Sequence, residues 1–389
     1  MKIAVVCPDG RSVVLFCRRL IVSLVAIPGT EVIVLTDAGD SRPEIEALGA
    51  RCMQVPLYRF FSPHRDVRYM FRLARILKRE RVDAVYNMST KPNIFGSIAA
   101  RASGVKRVVS HVVGLGSTML PATSWRDRTR QFIFICLYWI ACRLSDRIWF
   151  VNANDLVFFC SRGLISSDKP LLTNSFLDVS YYSRENVTES EVADARRELG
   201  IGEGERVVLM VARMIWPKGI REFVEAATQL VIRHPHWKFV LIAHAEHGNP
   251  DEVPANYIAE NASNANLIWL QYRNDLRPYY SLADIMVLPS YYREGGHPRA
   301  ILEAMAMGKP VITTDSVDCR DAVEPEVNGY WVPVRDAGAL ANAIERIMMD
   351  TAKMRRFGEQ SRTRAVQLFN EKTIVTRALS ELGLVPHSG

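Results

Sequence analysis

Short apolar runs alternate with helix-length amphipathic segments from the first residues of the chain. KIAVVC, EVIVLT, RCMQVPL, DAVYNMS, KRVVSHVVG and RIWFVN come first, and RVVLMVA, WKFVLIA, ANLIWLQ, DIMVLPS, KPVITT and GYWVPV follow in the second half. Most are continuously apolar rather than alternating, as strands are when helices cover both faces of a parallel sheet. Segments of helical size such as GIREFVEAATQLVIRHP separate them. This pattern predicts an α/β fold of doubly wound, Rossmann-like sheets. Between the two series, VSYYSRENVTESEVADARRELGIGEGE at 179–205 is polar, charged and glycine-terminated, so it reads as an exposed connection plus one helix. The expected architecture is a Rossmann-like domain at 1–180 and a second at 181–370, facing each other across a cleft. Residues 371–389 would form a C-terminal helix or tail returning to the first domain. Ligands in such sheets sit at the carboxyl ends of the strands.

Composition narrows the class. At 389 residues the chain is longer than a single core supports, and 48% apolar with 23% charged residues is ordinary for a soluble globular protein. Seven cysteines without a CxxC pair argue against a zinc site or a disulfide framework and fit a reducing cytoplasm. MKIAVVCPDG reads as a strand and turn rather than a signal peptide. The longest lipid-like run, FIFICLYWIAC at 132–142, has eleven residues where roughly 20 are needed to span a bilayer. The net charge of +7 is lopsided: residues 1–180 carry 25 Lys and Arg against 14 Asp and Glu, and 181–389 carry 24 against 28. The basic half should face something anionic.

Two stretches carry candidate chemistry. In LPSYYREGGHPRAILEAMAMGKPVITT, residues 288–314, Pro298 suits the first position of a helix that runs on to Gly308. The glycines before it let the backbone approach a ligand, and the helix N-terminus suits a phosphate. Glu303, about a turn and a half further in, would then reach sugar hydroxyls; a helix carrying a solvated glutamate is the plainer reading. In VVLMVARMIWPKGIREFVEAA at 207–227, Arg213 stands at a strand's carboxyl end and Lys218 just before the next helix. Two cations so placed can grip a diphosphate leaving group, or they are solvated loop residues. No Asp-x-Asp triplet occurs, so a metal held by carboxylates on a diphosphate is not expected.

Taken together, ARMIWPKGI, SLADIMVLPS and the EG…P…LEAMAMGKPVI segment resemble the family 4 retaining glycosyltransferases of the GT-B fold. The resemblance spans nearly the whole chain and is strongest from 207 to 334. STKPNIFGSIAARASGVKRVVSHVVGLG, residues 89–116, looks like the subgroup that moves nucleotide-activated hexosamines onto polyprenyl-diphosphate sugars in bacterial polysaccharide and glycoprotein pathways. The resemblance implies a nucleotide-sugar donor, most naturally UDP-linked, and transfer of a hexose or N-acetylhexosamine with retention to a lipid-linked sugar acceptor. The departing diphosphate itself would help deprotonate that acceptor. No cofactor and no metal are implied. Donor contacts would come from Arg213, Lys218, Glu294, Gly295, Gly296, His297, Pro298, Arg299, Ala300 and Glu303, with Glu303 on the ribose. The family separates its two acids by seven residues, whereas eight (GGHPRAIL) stand between Glu294 and Glu303 here. Glu294 either still reaches the donor sugar or yields its place to His297 or a backbone group. Catalysis would fall to Glu294, Arg213, Lys218 and His111. By position His111 resembles a family histidine near the reacting carbon, although a lone histidine is more often structural. The loop with Asp9, Gly10 and Arg11, together with Lys91, would face the diphosphate and the acceptor, though CPDGRS lacks the family's second glycine and LLTNSFLD has Phe176 where glycine is common.

Arginines 126, 128, 130 and 143 flank the apolar segment within 119–147, and cations recur at helical spacing from Arg65 to Arg81. An apolar surface flanked by arginines suits an anionic membrane interface, and a core helix with solvated ends fits it as well. The expected location is the cytoplasm, peripheral to the inner face of a bacterial membrane. A sugar-nucleotide epimerase of GT-B-like fold is the competing enzyme class. Nucleic acid is not an expected partner, since no basic and aromatic strand platform is present. A dehydrogenase is disfavoured because no G-x-G-x-x-G follows any strand.

Overall fold

Seven parallel strands form the first sheet: β1 (Lys2–Asp9), β2 (Glu31–Asp37), β3 (Arg51–Gln54), β4 (Ala84–Met88), β5 (Arg107–Val112), β6 (Arg147–Phe150) and β7 (Pro170–Leu172). Their order is β3-β2-β1-β4-β5-β6-β7. Six more build the second: β8 (Arg206–Met214), β9 (Trp237–Ala245), β10 (Leu267–Leu270), β11 (Ile285–Leu288), β12 (Val311–Thr314) and β13 (Gly329–Val332), in the order β10-β9-β8-β11-β12-β13. Both are doubly wound Rossmann-type sheets, as the apolar runs predict. The coordinates are those of a computed structural model, which describes residues 1–58, 61–115, 124–166, 168–173 and 175–384. Of the sequence features singled out above, Gly116, residues 119–123, Asn174 and residues 385–389 of the C-terminal tail lie outside the described residues.

The chain divides into two compact units, Met1–Ser175 with Glu371–Gly389, and Phe176–Asn370. In unit 1 the middles of β1 and β2 are buried on both faces, which is why they read as unbroken apolar runs. The helix Glu371–Glu381 packs on the helix Arg18–Val25. Val375, Ala378 and Leu382 join Ile21 and Leu24 in one buried cluster. Arg107 Nε donates to the Glu381 carbonyl at 2.7 Å, and Arg147 Nε lies 3.2 Å from the Glu381 carboxylate. β7 escapes the sequence pattern because it has three residues, none of them fully buried.

In each sheet the winding direction reverses once, between β1 and β4 and between β8 and β11. Loops leaving the carboxyl ends of those strands diverge there and open a crevice, the usual place for a ligand. The loops concerned begin at Asp9 and Ser89 in unit 1 and at Ile215 and Pro289 in unit 2.

Candidate active site

In unit 2 the reversal point gathers the cations and the first acid. β8 ends at Met214, a short turn spans Trp216–Lys218, and Gly219 (φ 80°) starts the helix Ile220–Val231. Only glycine fits at 219, because a Cβ would lie 2.2 Å from the Pro289 carbonyl oxygen. That close approach seats the β8 turn against the loop after β11. The Tyr291 N–H donates to the Pro217 carbonyl at 2.9 Å, and Ser290 Oγ lies 3.3 Å from the same carbonyl. Lys218 is buried and forms an ion pair with Glu294, which also accepts a 3.0 Å hydrogen bond from Ser290 Oγ. Tyr292 presents its ring to both cations: Arg213 Cζ lies 4.7 Å and Lys218 Nζ 5.2 Å from its centroid. Arg213 Nη1 stands 3.3 Å from Glu246, the carboxylate just past β9, which also accepts from Asn249 at 3.0 Å.

The loop between the two acids bends at a glycine. Gly295 takes φ 78° and gives its N–H to Asp318 at 2.9 Å, so a carboxylate on the helix Val317–Arg320 pins the loop from behind. Burial raises the pKa of Asp318, partly offset by the backbone N–H groups of Gly295 and Glu294. The helix begins at Arg299, one residue later than the sequence suggests. Pro298 is its extended N-cap (ψ 127°), and no side chain caps it. Pro298, Gly296 and His297 thus form the run-in to a helix whose first residues are Arg299 and Ala300. His297 turns toward Phe369, ring centroids 4.9 Å apart, and burial lowers its pKa to about 4. Of the two alternatives left open, Glu294 is the one seated beside Lys218.

Glu303 lies deeper than its sequence context suggests. Arg299 Nε, one turn earlier, donates to its Oε1 at 2.9 Å, and the Tyr280 hydroxyl donates to its Oε2 at 3.1 Å. Burial raises its pKa, and Arg299, Tyr182 and Tyr280 pull it back. The structure therefore brings Lys218, Glu294 and Arg213 together around Tyr292 and sets Glu303 apart, buried against Arg299 and Tyr280.

Unit 1 assembles its candidate residues at the other reversal point. Asp9 caps the helix Gly10–Phe16, accepting from Ser12 N–H at 2.8 Å and Ser12 Oγ at 2.9 Å, with Arg11 exposed. A Cβ at Gly10 would fall 2.3 Å from the Ala38 carbonyl oxygen, so the missing second glycine leaves intact the close approach that Gly10 makes. Lys91 pairs with buried Asp66 and donates to the Tyr58 carbonyl at 2.7 Å. Ser89, at the end of β4, has φ 81°, a costly conformation outside glycine. His111 is fully enclosed, with Nδ1 2.6 Å from the Tyr86 hydroxyl and its ring edge-on to Trp149. Burial drives its pKa down to about 3, so it is neutral. Its backbone exchanges two hydrogen bonds with the Asn93 side chain, at 2.9 and 3.2 Å, and accepts from Ser89 N–H at 3.1 Å. Such a residue sets the position of the β4 loop through its backbone.

Several of these partners are missed by reading motifs alone. Tyr292 lies two residues before Glu294 in the same loop. Glu246 was legible in principle, since β9 pairs Arg213 with His244 and so brings the next acid alongside. Asp318, Tyr280 and Tyr182 carry no local signal.

Comparison with known proteins places both halves. Residues 2–152 match the family Glycosyl transferase 4-like, and 191–364 match Glycosyl transferases group 1. The chain is 26% identical over 97% of its length, and 97% of the relative, to the N,N'-diacetylbacillosaminyl-diphospho-undecaprenol alpha-1,3-N-acetylgalactosaminyltransferase of Campylobacter jejuni. It is 27% identical over 77% of its length, and 75% of the relative, to the UDP-Gal:alpha-D-GlcNAc-diphosphoundecaprenol alpha-1,3-galactosyltransferase of Escherichia coli. Its fold matches Anabaena HepE, solved in complex with UDP, at a TM-score of 0.80, covering 99% of this chain and all of that one at 18% identity. With a 4-like first half and a group 1 second half on two Rossmann-like sheets, the chain belongs to the GT-B glycosyltransferases of family 4.

Proposed function

We propose that the protein transfers a hexose or N-acetylhexosamine from a UDP-linked donor to a sugar carried on polyprenyl diphosphate, with retention at the anomeric carbon. The observation that carries this reading is the Lys218–Glu294 pair with Arg213 around Tyr292 at the unit 2 reversal point. A donor diphosphate entering there offers Lys218 and Arg213 a stronger partner than Glu294 and Glu246. The two cations then hold the charge that grows as the sugar leaves. Glu294, released from Lys218, faces the sugar hydroxyls, and Glu303 with Tyr280 takes the ribose end. No side chain is assigned as general base. The leaving diphosphate, on the same face as the incoming hydroxyl, accepts its proton. No metal is needed on this reading, because the two cations supply the positive potential. The relatives named above act on undecaprenol-diphosphate sugars, and one names UDP-galactose as its donor, which supports the acceptor class and the nucleotide.

Unit 1 suits the acceptor side. The helix Trp125–Leu144 buries Phe134 and Tyr138 and turns Trp125, Phe132 and Trp139 outward at seven-residue spacing, 72%, 67% and 44% exposed. Arg143 lies 3.6 Å over the Trp139 ring. The helix Pro63–Glu80 exposes Phe71 among Arg65, Arg68, Arg72 and Arg75. Among the described residues no helix is long and apolar enough to cross a membrane. Aromatic side chains set among arginines instead suit the headgroup region of an anionic leaflet, at the inner face of a bacterial cytoplasmic membrane. The deciding experiment is turnover across a panel of UDP sugars with a polyprenyl-diphosphate sugar as acceptor. Transfer with retained configuration supports the reading. Interconversion of the nucleotide sugar without acceptor would instead identify an epimerase.

A further inference from the structure

Unit 2 holds a second hollow, of about 570 Å³, at the amino ends of β11 and β12. Those strands are four residues long, roughly 13 Å at about 3.3 Å per residue, so the hollow lies at the opposite edge of the sheet from Lys218 and Glu294. Four cations line it: Lys309 before β12, Arg184 in the connection before β8, and Arg355 and Arg362 on one face of the helix Thr351–Leu368. The lining acids are Asp284 and Glu359, leaving a formal +2. Both acids are engaged: Asp284 accepts Val207 N–H at 2.7 Å, and Glu359 pairs with Arg355 at 3.2 Å. Arg362 is fixed by the carbonyls of Val179, Tyr182 and Ala306, each at 2.8 Å. Lys309 donates to the Ser281 carbonyl at 3.0 Å, one of the three bonds an ammonium can make. Its pKa is lowered to about 8: burial pulls it down, Asp284 partly offsets this, and neighbouring Arg184 adds to the lowering. Met307 and Met354 give the hollow an apolar wall.

Like charges gathered over a partly buried ammonium repel one another unless an anion offsets them. A formal +2 matches a phosphate dianion, and a space of this size holds an organic body as well as the phosphate. We propose that this hollow binds a dianionic phosphate monoester with an apolar body, as a site separate from the donor site of the same unit. Lys309 and Arg184 would grip the phosphate, with Arg355 released from Glu359 to join them, and the methionines would pack against the body.

The test is calorimetric titration of the whole chain with phenyl phosphate at low salt, with phenol as the neutral control. We expect one equivalent to bind, phenol not to bind, and saturating UDP to leave the binding unchanged. Lys309→Gln should weaken it at least about 10-fold, the scale of one charge-assisted contact. Arg184 and Arg355 are exposed, so the double variant Arg184→Gln, Arg355→Gln keeps the test open should Lys309→Gln fold poorly; it should weaken binding by a similar factor. Absence of binding, wild-type affinity in the double variant, or displacement of phenyl phosphate by UDP would each overturn the proposal. Failure of UDP itself to bind would count against the donor site instead.

Discussion

Lys218 and Glu294 neutralise each other in the resting site, and the proposed donor separates them. Removing either cation should therefore cost transition-state stabilisation: Arg213→Ala or Lys218→Ala is expected to lower turnover at least about 10²-fold, read by steady-state kinetics. Near-wild-type rates in both would sink the assignment. Glu294→Gln should lower kcat with little effect on UDP affinity, whereas His297→Ala should act mainly on stability, because that ring packs on Phe369. The reverse pattern would move the sugar contact to His297. Both histidines with lowered pKa values also carry a pH signature. Their pKa values fall from 6.5 to about 3 for His111 and about 4 for His297, through burial. Below pH 6.5 the unfolded chain takes protons that the folded chain refuses, so their contribution is complete above that pH and is lost as the pH falls. The loss is about 1.4 kcal/mol per pH unit for each group at most. Urea unfolding stepped from about pH 7 to about pH 5 should show it, with a shallower slope in His111→Asn; equal slopes in the two proteins would contradict a buried neutral imidazole. Arg213, Lys218 and both acids were legible because they are local and spaced by a strand, a turn and a helix. That Glu294 rather than His297 stays beside Lys218 was not, because the outcome depends on Asp318 holding Gly295 N–H from another element.

At the scale of elements, the reading from apolar runs recovered twelve of the thirteen strands among the described residues, because most of these strands are buried on both faces and announce themselves by composition alone. β7 was lost because two half-buried residues and an exposed one at a sheet edge make no pattern. Membership of the two sheets follows from chain order, but the reversal points that make the crevices become visible only once the strand order is known. The turn at Gly219 joins the two scales. Gly219→Ala would force a Cβ against the Pro289 carbonyl oxygen in a backbone region that disfavours it. It should cost at least about 1–2 kcal/mol in urea unfolding, and it should lower turnover too, since the turn carries Lys218. Unchanged stability would show that the two loops are not seated against each other.

Over the whole molecule, the excess of positive charge and, among the described residues, most of the exposed large aromatics lie in the first half of the chain. Changing Arg126, Arg128 and Arg130 together to Ser should weaken co-sedimentation with anionic liposomes, by roughly 1 kcal/mol per correctly placed cation. The effect should fade at high salt as the Debye length shrinks below about 8 Å. Equal binding to neutral and anionic vesicles would leave only solvated arginines. The charge imbalance was plain in the sequence. That Trp125, Phe132 and Trp139 share an outward face while Phe134 and Tyr138 are buried was not, because a helix apolar on both sides has no periodic contrast to read.

Glu381 lies 274 residues after Arg107 and 234 after Arg147, yet both arginines bond to it within unit 1. Unit 2, by contrast, is one continuous piece of chain. At about 5–20 residues per second on a ribosome, roughly 10–40 s separate Ser175 from Glu371. The first-made half therefore waits, its face over Ile21 and Leu24 still uncovered, while the second half is made and can close its own core. Birth order and order of completion are opposite in this protein, and whatever shelters a nascent chain has most to do for the part that emerges first.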